Sequence, residues 1–341
     1  MQYGIRQVSA RLIVFLVSIL LFSCFLGLLL GYSRLSCLDA LQALFGKGGD
    51  AVDIIWDIRL PRVILSTASG MGLALSGVVM QAMFRNPMAS PYIMGISSGA
   101  SLGVVTAVFL GTGVSVAGAY LMGIGAFAGA LLVSLCVIAI SEKYKEDIAH
   151  LLIFGVALGA VCSGLTGVII YSGASSSGVD VTLYWLMGSV AFAKLENSTF
   201  LLFIVLAMSI FFITQSRILN LMAVGREDVL PLGKDIFPFF RLYLLLNSLL
   251  VGCIIMQAGL IGFVGLIVPH FVRLQYGGNH RELLILSVIC GGILTVWADM
   301  LGRTIIHGSD IPIGVMLSFI GAPLFIFMLL KQTSEYGGEK M

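Results

Sequence analysis

Charge is what this sequence has least of. Only 11% of its 341 residues are Asp, Glu, Lys or Arg, against about 25% in a soluble globular domain. Residues 86–141 carry no charged side chain at all. A chain that is also 59% hydrophobic reads as a membrane protein. Its net charge of +2 is too small to suggest a nucleic-acid partner. Nothing matches the phosphate-cradling loop G-x-x-x-x-G-K-[ST], since Lys234 in "PLGKD" is followed by Asp235, so the chain is not expected to bind a nucleotide itself. No Ser/His/Asp or Cys/His set is gathered by spacing, and the four histidines (150, 270, 280 and 307) fall near expected membrane edges. The six cysteines (24, 37, 136, 162, 253 and 290) show no metal-ligand spacing. All but Cys37, which reads as loop, lie in apolar runs, so they are expected to be small hydrophobes rather than a disulfide framework.

The membrane interior is also short of ionisable groups. A proton- or ion-coupled carrier usually keeps one at mid-bilayer, because binding the coupling ion needs it. The carboxylates weighed for such a role are Asp180 and Asp299, both toward one edge, and Asp299 precedes Arg303 by four residues. A helical i,i+4 pair is the simple account of that spacing. The energy for any transport should then come from elsewhere.

What is present is hydrophobic length. Stretches able to cross a bilayer of about 30 Å fall near 12–32, 63–84, 92–110, 117–140, 148–171, 195–215, 242–260, 261–272, 283–301 and 312–331. Two divisions are inferred from glycines, at Gly111-Thr112-Gly113 and at Gly259, Gly262 and Gly265. The first stretch, with "LFSC" at 21–24, has some look of a cleaved leader but is long enough to be retained as a span. The expectation is one all-α polytopic membrane domain, residues 1–341, with ten transmembrane helices. Placing the N-terminus in the cytoplasm puts thirteen cations inside and six outside. The positive-inside rule therefore favours both termini in the cytoplasm. Half of the outside cations are Arg59, Arg62 and Arg303, an exception that needs a reason.

Two further patterns stand out. Gly155, Gly159, Ser163 and Gly167 recur every four residues, which lays a flat small-residue stripe along one helix. It fits packing within the subunit, a subunit interface or a substrate path; the polar run "YSGASSSGVD" (171–180) follows as an external loop or a gate. The segment 216–241 mixes both charge signs with Leu, Val and Phe and is punctuated by Gly225, Pro231, Gly233 and Pro238. It reads as short amphipathic helices, a docking surface for a cytoplasmic partner rather than a solvated connector. Gly225, Arg226, Glu227, Asp228, Leu232 and Gly233 are its candidate coupling residues.

"RLPRVIL" with "SGVVMQAMFRNPMASPYIMGISSGA", then "GLIGFVGLIVPHFVRL", then "DIPIGVMLSFIGAPLFIFMLLK" closely resemble the FecCD-type permeases. These are the membrane subunits of type II ABC importers for iron–siderophore complexes, haem and cobalamin. The resemblance runs from about residue 10 to 332 in the family's order. It implies ten spans, a second permease copy or sister permease, and two cytoplasmic ATPases that hold the ATP and Mg. It also implies an extracytoplasmic substrate-binding protein, docked on outward-facing arginines that match Arg59, Arg62 and Arg303. The spans 148–171 and 312–331 are then expected to face the path, and an iron chelate is the expected cargo. No cofactor is expected on this chain. The competing reading is a secondary carrier working alone.

Overall fold

The computed structural model describes residues 8–31, 35–112, 116–141, 143, 148–172, 182–306 and 309–337, and every regular element among them is helical. Helix α1 (Ala10–Leu29) starts where the Ser9 hydroxyl accepts from the Leu12 amide (3.3 Å), one of the orphan donors that every helix start presents. Cys37, expected in a loop, opens the short helix α2 (Cys37–Leu44). The local reason is a capping box: Ser36 Oγ accepts from the Asp39 amide (3.1 Å), and Asp39 Oδ2 accepts from the Ser36 amide (3.3 Å). A turn at Asp50–Asp53 and a π-helical stretch at Ile54–Arg59 run directly into α3 (Leu60–Met83), with Pro61 at its first turn.

The remaining main helices are α4 (Ile96–Ala107), α5 (Val116–Ser141), α6 (Ile148–Ser172), α7 (Leu195–Thr214) and α8 (Ser216–Val224). They continue with α9 (Phe237–Ala258), α10 (Val264–Tyr276), α11 (His280–Gly302) and α12 (Ile313–Gly337). Each of the ten apolar stretches contains a helix. By length and composition, seven helices among the described residues suffice to cross a membrane, while Ile96–Leu110 and Ile313–Met328 are shorter apolar helices. Helix α10 has 13 residues, the short helix expected from dividing 242–272.

The two glycine divisions differ. Helix α9 stops at Gly259 (φ +66°) and α10 starts after Phe263 (φ +67°), so the chain breaks at 259–263. Gly265 lies inside α10, against α3: a Cβ there would meet the Leu73 carbonyl oxygen at 2.8 Å. Its small size serves close packing rather than a break. At the other division α4 ends in a π-turn, Val108–Thr112, and Gly113 lies outside the described residues, as do Asp180, His307 and 173–181.

Helix α3 is the hub. Its most apolar 18 residues are 94% buried, and α1, α7, α8, α9, α10 and α11 all pack on it. Its serines, glycines and alanines allow this. A side chain at Gly77 would collide with the Gly265 carbonyl, and one at Gly70 with the Gly291 carbonyl. Thr295 Oγ1 of α11 donates to the Ser66 carbonyl (2.8 Å) at that crossing. Helices α4 and α5 meet in the same way, Gly99 on Gly129 and Gly103 on Gly125. Such contacts substitute in lipid for the hydrophobic drive that packs soluble helices.

Candidate functional site

Arg59, Arg62 and Arg303 converge at one end of the hub, and all three are buried, at 3%, 7% and 8% exposure. Arg59 Nη1 donates to the Leu28 and Leu29 carbonyls (2.6 and 2.7 Å). Arg303 Nη2 donates to the Gly27 carbonyl (2.8 Å). These are last-turn carbonyls of α1, which have no partner inside the helix and sit at the negative end of its dipole. Arg62 Nε donates to Asp299 Oδ1 (2.7 Å) and its Nη1 to Asp310 Oδ2 (2.8 Å). The expected Asp299–Arg303 pair is present but longer, at 3.3 Å. The arginines expected to receive acids from a docking protein are thus buried and paired within this chain. Their charge is committed inside the chain, where α1, α3, α11 and the segment before α12 would otherwise leave carbonyls and carboxylates unpaired. Asp310, the exposed member of the cluster, was not a sequence candidate; its place two residues before Pro312, in "DIPIG", was the only signal.

The stripe on α6 divides. Gly155 and Gly159 are buried against α4's N-terminal turn: a Cβ at Gly155 would meet Met94 Cα at 3.1 Å, and one at Gly159 would meet Gly95 Cα at 2.8 Å. Ser163 Oγ donates to Ser98 Oγ (3.1 Å) at the edge of this contact. Gly164 and Gly167 face open space, beside exposed Val161, Leu165 and Val168. The first half of the stripe is thus intrasubunit packing. The second half belongs to an open apolar face, and only 22% of the most apolar 18 residues of α6 are buried.

The candidate coupling segment is jointed as expected. Helix α8 stops at Gly225, whose φ of +123° and ψ of +153° belong to a region reserved for glycine. A helical turn, Arg226–Val229, holds Glu227 and Asp228, and a 3-10 turn, Leu230–Leu232, ends at Gly233 in the left-handed region (φ +76°). Leu230 and Leu232 are exposed. Arg226 Nε donates to Asp235 Oδ1 (3.3 Å), and that oxygen also accepts from the Phe237 amide (3.0 Å). Arg226 and Arg241 both lie over the Phe237 ring (5.9 and 5.4 Å).

Sequence reading missed how this segment is held. Arg85, at the end of α3, takes a positive φ of 48°, the capping position that glycine usually fills. Its guanidinium covers Gly225, where a Cβ would meet Nη1 at 2.5 Å. His280, at the start of α11, is tied to α8: Asn220 Oδ1 accepts from the His280 amide (3.0 Å) and lies 2.7 Å from its Nδ1.

The model of the FecCD transport family matches residues 19–331. The chain belongs to this family. This FecCD protein is 35% identical over 291 residues to the hemin transport system permease protein HmuU of Yersinia pestis, covering 85% of this chain and 87% of that one. It is 37% identical over 277 residues to the vitamin B12 import system permease protein BtuC of Salmonella paratyphi A, covering 81% and 83%. A solved structure titled as an inward-facing conformation of a metal-chelate type ABC transporter superposes with a TM-score of 0.84 at 30% identity, covering 95% of this chain and 100% of that one. The FecCD chain is thus a multi-pass membrane transport permease subunit, not an enzyme.

Proposed function

We propose that this FecCD protein is the membrane-spanning subunit of a binding-protein-dependent ABC importer. It crosses the membrane ten times with both termini in the cytoplasm, pairs with a second permease, and passes a metal chelate inward. An iron–siderophore complex is the favoured cargo, with haem and cobalamin the alternatives suggested by the relatives' names. The observation that carries the reading is the 216–233 segment. It sets Leu230 and Leu232 outward between two glycine joints, in a permease without a nucleotide loop of its own. Leu232, Gly225, Gly233 and the charges of Arg226, Glu227 and Asp228 form the seat for a cytoplasmic ATPase. Nucleotide binding there biases two permease orientations, because the ATPases bind one of them better. The open half of the α6 stripe, Ser163 and Gly167, faces the second permease or the path. The substrate-binding protein docks on the face held together by Arg59, Arg62 and Arg303; the arginines act by fixing that face rather than by presenting free charge.

Proteoliposomes test this. With the partner ATPases and binding protein reconstituted, labelled chelate should accumulate only with ATP and should do so in the presence of a protonophore. Accumulation by this subunit alone, abolished by the protonophore, would overturn the reading in favour of a secondary carrier.

A further inference from the structure

Helix α2 is built inside out. On the side that packs against the rest of the chain it presents buried Ala40 and Ala43 and half-buried Leu44, while Leu38, Leu41 and Phe45 stand 65%, 42% and 81% exposed. Their spacing of three and four residues places the large side chains on one face. Ile58 and Trp56 of the neighbouring π-helical stretch are exposed as well. The two elements are fastened to each other, since Trp56 Nε1 donates to the Ala43 carbonyl (3.1 Å). Water on both sides would favour the reverse arrangement, with leucine and phenylalanine inward and alanine outward.

Depth decides what lies against this face. Ala40 and Ala43 share a separate apolar cluster with Leu28, Leu29, Ile55 and Val63, so α2 rests on the last turn of α1. That turn ends a 20-residue apolar helix in which only Ser23, Gly27 and Leu28 are buried, and whose own exposed side chains include Leu21, Phe22 and, just past its end, Leu30. A helix of this length spans about 30 Å, the thickness of the hydrocarbon core. The apolar face of α2 therefore lies level with the hydrocarbon edge and continues the lipid-facing surface of α1. A tryptophan with its ring partly exposed and its N–H satisfied fits the same depth.

We propose that α2, with Trp56 and Ile58, is an interfacial helix. It lies in the headgroup region on the side where α1 ends, with Leu38, Leu41 and Phe45 dipping into the acyl-chain boundary. Its occupant is the lipid surface, and the segment holds the outer edge of the molecule at a set depth.

The test uses the full chain in phosphatidylcholine nanodiscs with tryptophan only in this segment, Phe45→Trp beside the native Trp56, in a background of Trp185→Phe and Trp297→Phe. A Leu41→Trp version covers the case in which the first does not fold. The proposal expects blue-shifted emission and protection from aqueous iodide. It also expects stronger quenching by phosphatidylcholine brominated near the headgroup than by lipid brominated near the chain end. Full iodide quenching with no effect of brominated lipid would overturn it. So would protection that arises only when a binding protein is added, or only when two permeases share a disc, since either makes the face a protein-docking surface.

Discussion

Replacing Arg62 by Gln separates two roles for the arginine cluster by size. The side chain reaches Asp299 at 2.7 Å and Asp310 at 2.8 Å, and Asp299 is 2% exposed. Removing the guanidinium leaves the Asp299 carboxylate with Arg303 alone, 3.3 Å away. Breaking a buried pair in this way costs about 3–5 kcal/mol, because the surviving charge stays out of water. An arginine serving only as an exposed contact for a docking protein would affect stability by about 0.2–1 kcal/mol. The glutamine amide recovers part of the loss by donating to one carboxylate, so about 3 kcal/mol is the expectation. The assay is denaturant or thermal unfolding of the detergent-solubilised subunit, followed by binding-protein affinity. Arg62→Gln should be markedly destabilised, and combining it with Asp299→Asn should cost less than the sum of the two changes, because both remove one interaction. Unchanged unfolding, with only docking weakened, would refute the internal role and restore the arginines as free contacts.

Three shorter expectations follow. Gly225→Val should abolish ATPase-coupled uptake while the permease still folds, because valine cannot adopt φ +123° and its Cβ would run into Arg85; normal coupled uptake would reduce the segment to a connector. Gly159→Leu should destabilise the isolated subunit by about 1–3 kcal/mol or more through overpacking on Gly95, whereas Gly167→Leu should leave unfolding unchanged and alter permease pairing or uptake; equal destabilisation by both would contradict the division of α6. Asp299→Asn should retain ATP-driven uptake at reduced protein stability, and dependence of the remaining uptake on a proton gradient would contradict ATP as the energy source.

Local chemistry made much of this molecule readable. Apolar length and two glycine divisions put a helix in each apolar stretch, seven of those helices, among the described residues, being long enough to cross a membrane, and Gly225 and Gly233 marked the joints of the candidate coupling segment because each needs a backbone that other residues avoid. What resisted reading was long-range. Arg62 and Asp299 are separated by 237 positions, so no window along the chain shows that the arginines face inward. The four-residue stripe on α6 gave the right helix face but not its neighbours, which depend on where α4 begins. Helix α2 went unread because its capping box was overlooked in a span of loop. Arg85 drew no attention in the sequence, since nothing local announces that its side chain lies across Gly225.

The hub helix also constrains how the protein meets membranes of different thickness. The unbroken helical run from Asp50 to Met83 has 34 residues, but its apolar part, 63–84, is about 33 Å long at 1.5 Å per residue, close to the hydrocarbon core. In a bilayer of another thickness a lone helix of this length would absorb the mismatch by tilting. This one is sheathed by α1, α7, α8, α9, α10 and α11 and cannot lean without carrying them along. In a thinner or thicker bilayer, adjustment therefore falls to the lipid and to the loosely covered α1, α6 and α7, while the central rod keeps its angle and the distance between its two ends.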